Sequence, residues 1–278
     1  MPAELLDLAR AIAVEAGELA AHRRAEGVEI AATKSSIVDV VTAADREVED
    51  LVRARILAAR PDDAVLGEEG GLGEEGGGAA GTSGLTWVVD PIDGTVNYLY
   101  GIPSYGVSIA VVEGDADPLT WTALAGAVAS PAQGELFHAA AGGGAFLNDR
   151  PIFVNPAPPL GQALVGTGFA YVPETRARQG AVVAGLLPLV RDIRRGGVAS
   201  LDLCAVACGR LDAYYERTLN PWDLAAGALI AREAGAIVKG SGDAAPSRDL
   251  LLAAPPGLAA ELETVLDSLG VTGWDLPS

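Results

Sequence analysis

Short apolar runs of strand length alternate with stretches of helical period along this chain, and that alternation limits it to layered α/β architecture. Leu5, Leu6, Leu8, Ile12, Ala13, Ala16 and Leu19 recur at helical spacing, predicting one long opening helix to about His22. A second helix is predicted over 43–60, with Val48, Leu51, Val52, Ile56 and Leu57 on one face and Pro61 just past its end. Strands are expected at 64–66, 85–89, 105–112, 121–129, 135–139 and 163–167. The second half continues with a helix over 173–187, a strand at 192–194 and a helix over 198–208. A strand at 212–216, a helix over 222–233, a strand at 250–253 and a closing helix to 269 complete it.

A chain of 278 residues is one large domain or two intimately packed ones. The proline-rich patch at 151–159 marks the best boundary, between an N-terminal half (1–150) and a C-terminal half (151–278). The segment 67–84 is too rich in glycine for a helix, and its part 71–84 is expected to be mobile or differently placed. With 37 acidic against 19 basic residues the net charge is −18, a surface that repels phosphate backbones and anionic membranes. Nucleic acid is therefore not expected as a partner, while divalent cations are attracted. The N-terminus carries acids and a helical period, not a basic leader with an apolar core, and no stretch reaches the length of a membrane span. Together with only two cysteines, this suggests a reducing, cytoplasmic setting.

The densest chemical signal is the run from Trp87 to Thr95, in which an apolar strand ends in Asp90-Pro91-Ile92-Asp93-Gly94-Thr95. Pro91 biases Asp90 towards extended geometry, and Asp93-Gly94 turns the chain into a short helix. Two carboxylates thus project from the C-terminal edge of a strand, where α/β ligands usually sit. The Gly94 and Thr95 amides, at a helix start, suit phosphate. The run taken alone also reads as a strand, a turn and a cap with nothing bound. Three further acids lie at strand ends or helix starts: Glu68 after Ala64-Val65-Leu66, Asp45 opening the second helix, and Asp223 after Asn220-Pro221-Trp222. Singly, Glu68 reads as a solvated loop acid, and Asp45 and Asp223 as ordinary helix N-terminal residues. Gathered together, oxygen ligands of this kind suit Mg²⁺.

The strings GEE (67–69), WVVDPIDGTVNY (87–98) and PWDLAAGALIAREAGA (221–236), with DVVTAAD (39–45) ahead of them, resemble the inositol monophosphatase family, most closely its bacterial inositol-1-monophosphatases of the SuhB type. The resemblance spans nearly the whole chain. It implies an αβαβα sandwich, usually dimeric, that requires two or three Mg²⁺ ions and is inhibited by lithium. By this likeness Glu68, Asp90, Asp93, Asp223 and the Ile92 carbonyl are metal ligands. Asp45 and Thr95 match the pair that orients and deprotonates the attacking water, with Glu68 a second candidate acid. Gly94 and Thr95 amides match the phosphate cradle, Glu216 the acceptor of ring hydroxyls, and Lys34 a loop near the metals. Gly197 and Ala199 fall in a stretch bordering the substrate ring, where Val198 replaces the family's hydroxyl residue. Val96 and Gly70 also depart from common family residues.

The implied reaction is Mg²⁺-dependent hydrolysis of myo-inositol 1-phosphate or a similar polyol phosphate. Histidinol phosphate, fructose 1,6-bisphosphate and adenosine 3′,5′-bisphosphate are alternative substrates handled by relatives, and a binding role towards transcription machinery is an alternative of another class. Elsewhere, Cys204 and Cys208 read as core thiols, and Gly142-Gly143-Gly144 as a hairpin turn. Arg191, Arg194 and Arg195 form a basic cluster suited to pairing with neighbouring acids or to drawing in an anion.

Overall fold

Strands whose residues are apolar without interruption are covered on both faces, which is why their sequences show no alternation. The computed structural model describes residues 2–28, 30–33, 40–72 and 81–276. In chain order the first half holds α1 (Pro2–Glu26), β1 (Ile30–Thr33), β2 (Val40–Thr42), α2 (Ala43–Ala59), β3 (Ala64–Gly67), β4 (Gly71–Leu72) and β5 (Leu85–Asp93). There follow α3 (Thr95–Tyr100), β6 (Gly106–Glu113), β7 (Thr122–Ser130), β8 (Glu135–Ala140), β9 (Ala145–Leu147) and β10 (Arg150–Ile152). The second half holds β11 (Leu164–Thr167), α4 (Pro173–Leu186), β12 (Asp192–Arg194), α5 (Ala199–Ala207) and β13 (Ala213–Glu216). It ends with α6 (Pro221–Glu233), β14 (Ile237–Lys239), β15 (Leu251–Ala254) and α7 (Pro256–Ser268).

One sheet runs β10-β9-β8-β7-β6-β5-β3-β4, antiparallel throughout except where β3 lies parallel to β5. A second large sheet runs β12-β11-β13-β15-β14, with β11 parallel to both neighbours, and β1 and β2 form a small antiparallel pair apart from both. Side chains alternate between the layers. Trp87 and Val89 pack with α1 and α2, whereas Val88 packs with α5 and α6. Likewise Tyr214 and Leu251 of the second sheet face α5 and α6, while Tyr215 and Leu252 face α4 and α7. The result is the expected αβαβα stack, with α5 and α6 sandwiched between the two sheets.

The middle layer can be thin because its helices carry small residues. Ala225, Ala226, Gly227 and Ala228 lie buried along α6, and a Cβ on Gly126 of β7 would sit only 3.1 Å from the Ala226 Cα. The close approach brings the first turn of α6 against the end of β5. On the other face, Tyr98 of α3 is fully buried, donates its hydroxyl to the Ala20 carbonyl at 2.8 Å and meets Tyr105 edge-on. Burying a ring of that size contributes roughly 2–3 kcal/mol and fixes α3 against α1.

The predicted elements stand, with shifted ends: α1 continues to Glu26, and β5 runs through Asp93 instead of stopping at Val89. Six short strands escaped the reading, β1, β2, β4, β9, β10 and β14, each of two to four residues and too brief to carry a period. The glycine triplet 142–144 is indeed the turn between β8 and β9, its Gly142 and Gly144 amides donating to Glu233. Of the glycine-rich segment, residues 73–80 lie outside those described. Cys204 is buried in the core, and Cys208 is partly buried beside it. Among the described residues no helix is long and apolar enough to cross a membrane.

Candidate active site

In a regular strand, residues three apart point to opposite faces. Asp90 and Asp93 nonetheless reach the same site, because three steps along β5 are matched by only two along β6: Asp90 pairs with Ser108, Asp93 with Gly106. The bulge adds one residue and turns Asp93 back to the face of Asp90. Pro91, which has no N–H to give a ladder, is a natural occupant of such a bulge. Asp93 is 7% exposed, and its Oδ2 accepts the Ser200 amide at 2.7 Å, so the start of α5 faces it.

The third acid arrives from the second half. Asp223, in the first turn of α6, accepts the Asn220 amide on Oδ2 at 2.6 Å. Asp90, Asp93 and Asp223 each offer a carboxylate oxygen, all within 4.8 Å of one another. Burial pushes Asp90 and Asp223 well above the usual carboxylate range, and the neighbouring acids, Glu68 included, push them further. Burial also raises Asp93, to about 6, against the opposing hydrogen bonds from the start of α5. Asp90 is 1% exposed and its Oδ1 has no hydrogen-bond partner. A buried, unpaired carboxylate oxygen amid other carboxylates is an unfavourable arrangement that a hard cation relieves, and carboxylates are the donors such cations take. The residues present therefore fit a divalent metal.

Two more acids border this cluster. Glu68, at the end of β3, lines the same cleft, and its amide donates to the Val89 carbonyl at 3.2 Å, tying it to β5. Asp45, 1% exposed, closes a capping box at the start of α2: Oδ2 accepts the Thr42 amide at 2.8 Å and the Thr42 hydroxyl at 2.5 Å. Its Oδ1 lies 3.2 Å from Thr95 Oγ1, which is also 3.1 Å from the Ile92 carbonyl. Burial raises the Asp45 carboxyl above its ordinary value while the Thr42 bonds hold it down.

The cleft, about 430 Å³, extends from these acids to the second sheet. Gly94 sits at φ +89°, and a Cβ there would lie 2.7 Å from Val198 Cγ2, so position 94 has no room for a side chain. Gly197 and Ala199 line the same wall. Asn97 ties this wall to α3 by donating to the Ser104 and Gly196 carbonyls at 2.9 and 3.0 Å. Glu216, at the end of β13, faces the cleft from the far side; burial raises its carboxyl to about 7, and the Tyr214 hydroxyl donates to it. The basic cluster divides. Arg194 pairs with Asp192 and Arg191 bonds the Gln162 carbonyl, while Arg195 lines the cleft.

This geometry can be set beside known proteins. The profile described as "Inositol monophosphatase family" matches residues 1–268. The chain belongs to the inositol monophosphatase family. It is 45% identical over 286 residues to the inositol-1-monophosphatase of Mycobacterium leprae, covering 95% of this chain and 94% of that protein. The solved structure of Mycobacterium tuberculosis SuhB superposes with a TM-score of 0.81 at 42% identity, over 98% of this chain and 99% of that one. A Xylella fastidiosa protein named Nus factor SuhB is 40% identical over 248 residues, 85% of each chain. Membership in the inositol monophosphatase family makes this chain a phosphatase enzyme with an acidic cluster able to bind metal.

The structure thus brings together Glu68, Asp90, Ile92, Asp93, Gly94, Thr95, Gly197, Ala199, Glu216 and Asp223 around one cleft, with Asp45 behind Thr95. Lys34 lies outside the described residues. The sequence reading missed Glu49 and Arg53, a buried pair on α2 that holds the turn bearing Glu68. Their four-residue spacing on a helix was the available signal. It also missed Tyr214, although a residue two before Glu216 in a strand must share its face.

Proposed function

We propose that this chain hydrolyses phosphate monoesters of polyols in the presence of Mg²⁺, with myo-inositol 1-phosphate as the leading substrate. The observation that carries this reading is the convergence of Asp90, Asp93 and Asp223 within 4.8 Å, beside Thr95 and the buried Asp45. In this reading Asp90, Asp93, Asp223, Glu68 and the Ile92 carbonyl hold two or three ions. When bound, Mg²⁺ neutralises the phosphate ester and acidifies coordinated water.

The rest is done by the chain. Thr95 Oγ1 receives the attacking water's proton and passes its own to Asp45 Oδ1 at 3.2 Å, a carboxylate made more basic by burial. The capping box keeps that acceptor in place by engaging only its other oxygen. The Gly94 and Thr95 amides take phosphate oxygens, and Val198, pressed against Gly94, limits how deep the ester sits. Glu216 accepts hydroxyls of the leaving alcohol, with Gly197 and Ala199 as the wall of the ring site. The two halves, 1–150 and 151–278, act as one catalytic unit, since the first supplies Asp90 and Asp93 and the second Asp223 and Glu216. The family likeness further supports lithium inhibition and a homodimer, and the content of only two cysteines supports a reducing, cytoplasmic setting.

Phosphate release by purified protein tests this, using inositol 1-phosphate, histidinol phosphate, fructose 1,6-bisphosphate and adenosine 3′,5′-bisphosphate with Mg²⁺ and with EDTA. The expected result is Mg²⁺-dependent turnover, fastest on the inositol ester and abolished in Asp93→Asn. Preference for another ester moves the substrate; silence on all four overturns the reading. A second reading adds a role in transcription, supported by the Nus factor name of the Xylella fastidiosa relative. Asp93→Asn separates the two, because a binding role would survive it.

A further inference from the structure

Asp45, Glu49 and Arg53 are buried charged residues four apart on α2. Asp45 belongs to the site already described; the other two touch no part of the cleft. They form an ion pair, Arg53 Nε to Glu49 Oε1 at 2.8 Å, with side chains 7% and 3% exposed. A buried pair of this kind is often no more stabilising than apolar residues of the same size, so stability alone gives it little reason to exist. Its remaining bonds have one target. Glu49 Oε2 accepts the Glu69 amide at 2.8 Å, and Oε1 accepts the Gly70 amide at 2.9 Å. Arg53 donates to the Val65 carbonyl at 3.2 Å and to the Gly71 carbonyl at 2.8 Å. The backbone is thus gripped on both sides of Glu68.

The glycines of the turn are what let the pair in. A Cβ on Gly67 would lie 2.3 Å from Glu49 Oε1, and one on Gly70 would lie 2.9 Å from both Arg53 Nη2 and Glu49 Oε1. Gly70, a departure from the family's frequent serine, is accounted for by that contact. The β3 ladder to β5 ends at Gly67, opposite Val89, so beyond it the segment 68–70 is tied to β5 by the Glu68 amide bond to the Val89 carbonyl.

We infer that Glu49 and Arg53 are positioning residues: they clamp the 65–71 backbone so that Glu68 is presented to Asp90 and Asp223. Because Asp45 stands on the same helix, α2 places the proton acceptor directly and the Glu68 ligand through the clamp. The inference rests on the proposed reading of Glu68 as a Mg²⁺ ligand.

Calorimetric titration of metal-stripped protein with Mg²⁺ tests it, alongside thermal melts and the Mg²⁺ dependence of phosphate release. Glu49→Gln keeps one acceptor oxygen and loses the other. It is expected to weaken Mg²⁺ binding roughly 10- to 100-fold, the range for partners behind a metal ligand. Half-activating Mg²⁺ should rise by the same factor, with KM for inositol 1-phosphate at saturating Mg²⁺ changed less than about twofold. Val52→Ala, on the same helix but in the core, should lower the melting temperature and leave Mg²⁺ affinity alone. A folded Glu49→Gln with wild-type Mg²⁺ affinity overturns the clamp. If that variant does not fold, Arg53→Lys, which keeps the charge but loses the forked grip on Val65 and Gly71, is titrated in its place, and unchanged affinity again overturns it. A wild-type protein that binds no Mg²⁺ overturns the metal reading and the clamp with it, whereas wild-type binding with unaffected variants overturns the clamp alone.

Discussion

Thr95 Oγ1 and Asp45 Oδ1, fifty positions apart in sequence, meet at 3.2 Å at the end of β5. The same hydroxyl lies 3.1 Å from the Ile92 carbonyl, so it has two acceptors for one proton, and its lone pairs are left for the cleft. Thr95→Val removes the hydroxyl and keeps the shape. Its kcat should fall on the order of 100-fold with little change in melting temperature, while Thr95→Ser stays within about tenfold of wild type. Equal turnover by the valine variant and wild type would take Thr95 out of the proton path.

Asp90 predicts an exchange of stability for activity. Its buried, unpartnered Oδ1 sits among like charges, so Asp90→Asn should raise the melting temperature of the metal-free protein. The same change should abolish the Mg²⁺-induced rise and lower kcat/KM at least about 100-fold, as expected when a metal ligand itself is lost. Melting curves with and without Mg²⁺ check this, and a metal-free melting temperature below wild type would contradict it.

Proton and metal should compete for the same carboxylates. Asp93 moves from 3.8 to about 6, and burial among other acids raises Asp90 and Asp223 well above the usual carboxylate range. Each binds its proton more tightly folded than unfolded, so its contribution to the metal-free protein is lost as pH rises through its folded value, for Asp93 between about pH 4 and 6. Mg²⁺ takes the ionised form, and its stabilising increment should therefore be larger near about pH 8 than near about pH 5. Equal increments at both pH values would sever the link.

Glu216 is turned into the cleft and held by the Tyr214 hydroxyl. Glu216→Ala should raise KM for inositol 1-phosphate by roughly 10-fold, the worth of one hydrogen bond to a charged group, and that for an aryl phosphate far less. Steady-state kinetics on both esters decide it; equal effects would remove Glu216 from substrate discrimination.

The sequence by itself determined the long elements, because helical period and unbroken apolar runs are properties of neighbouring residues. α1, α2 and β6 to β8 were legible for that reason, as was the Asp90 to Thr95 run, whose acids sit within six positions. The motifs also named Glu68, Asp45 and Asp223, although nothing local separates each from a loop acid or a helix cap. Only the tertiary structure decided that they converge. The β5 bulge puts Asp90 and Asp93 on one face, the small residues of α6 let Asp223 approach, and α2 carries Asp45 and the Glu49–Arg53 pair to the end of β3. Those outcomes depend on contacts between segments 20 to more than 100 residues apart. Local periodicity carries no information about which side chains will meet across that distance; packing between layers supplies it.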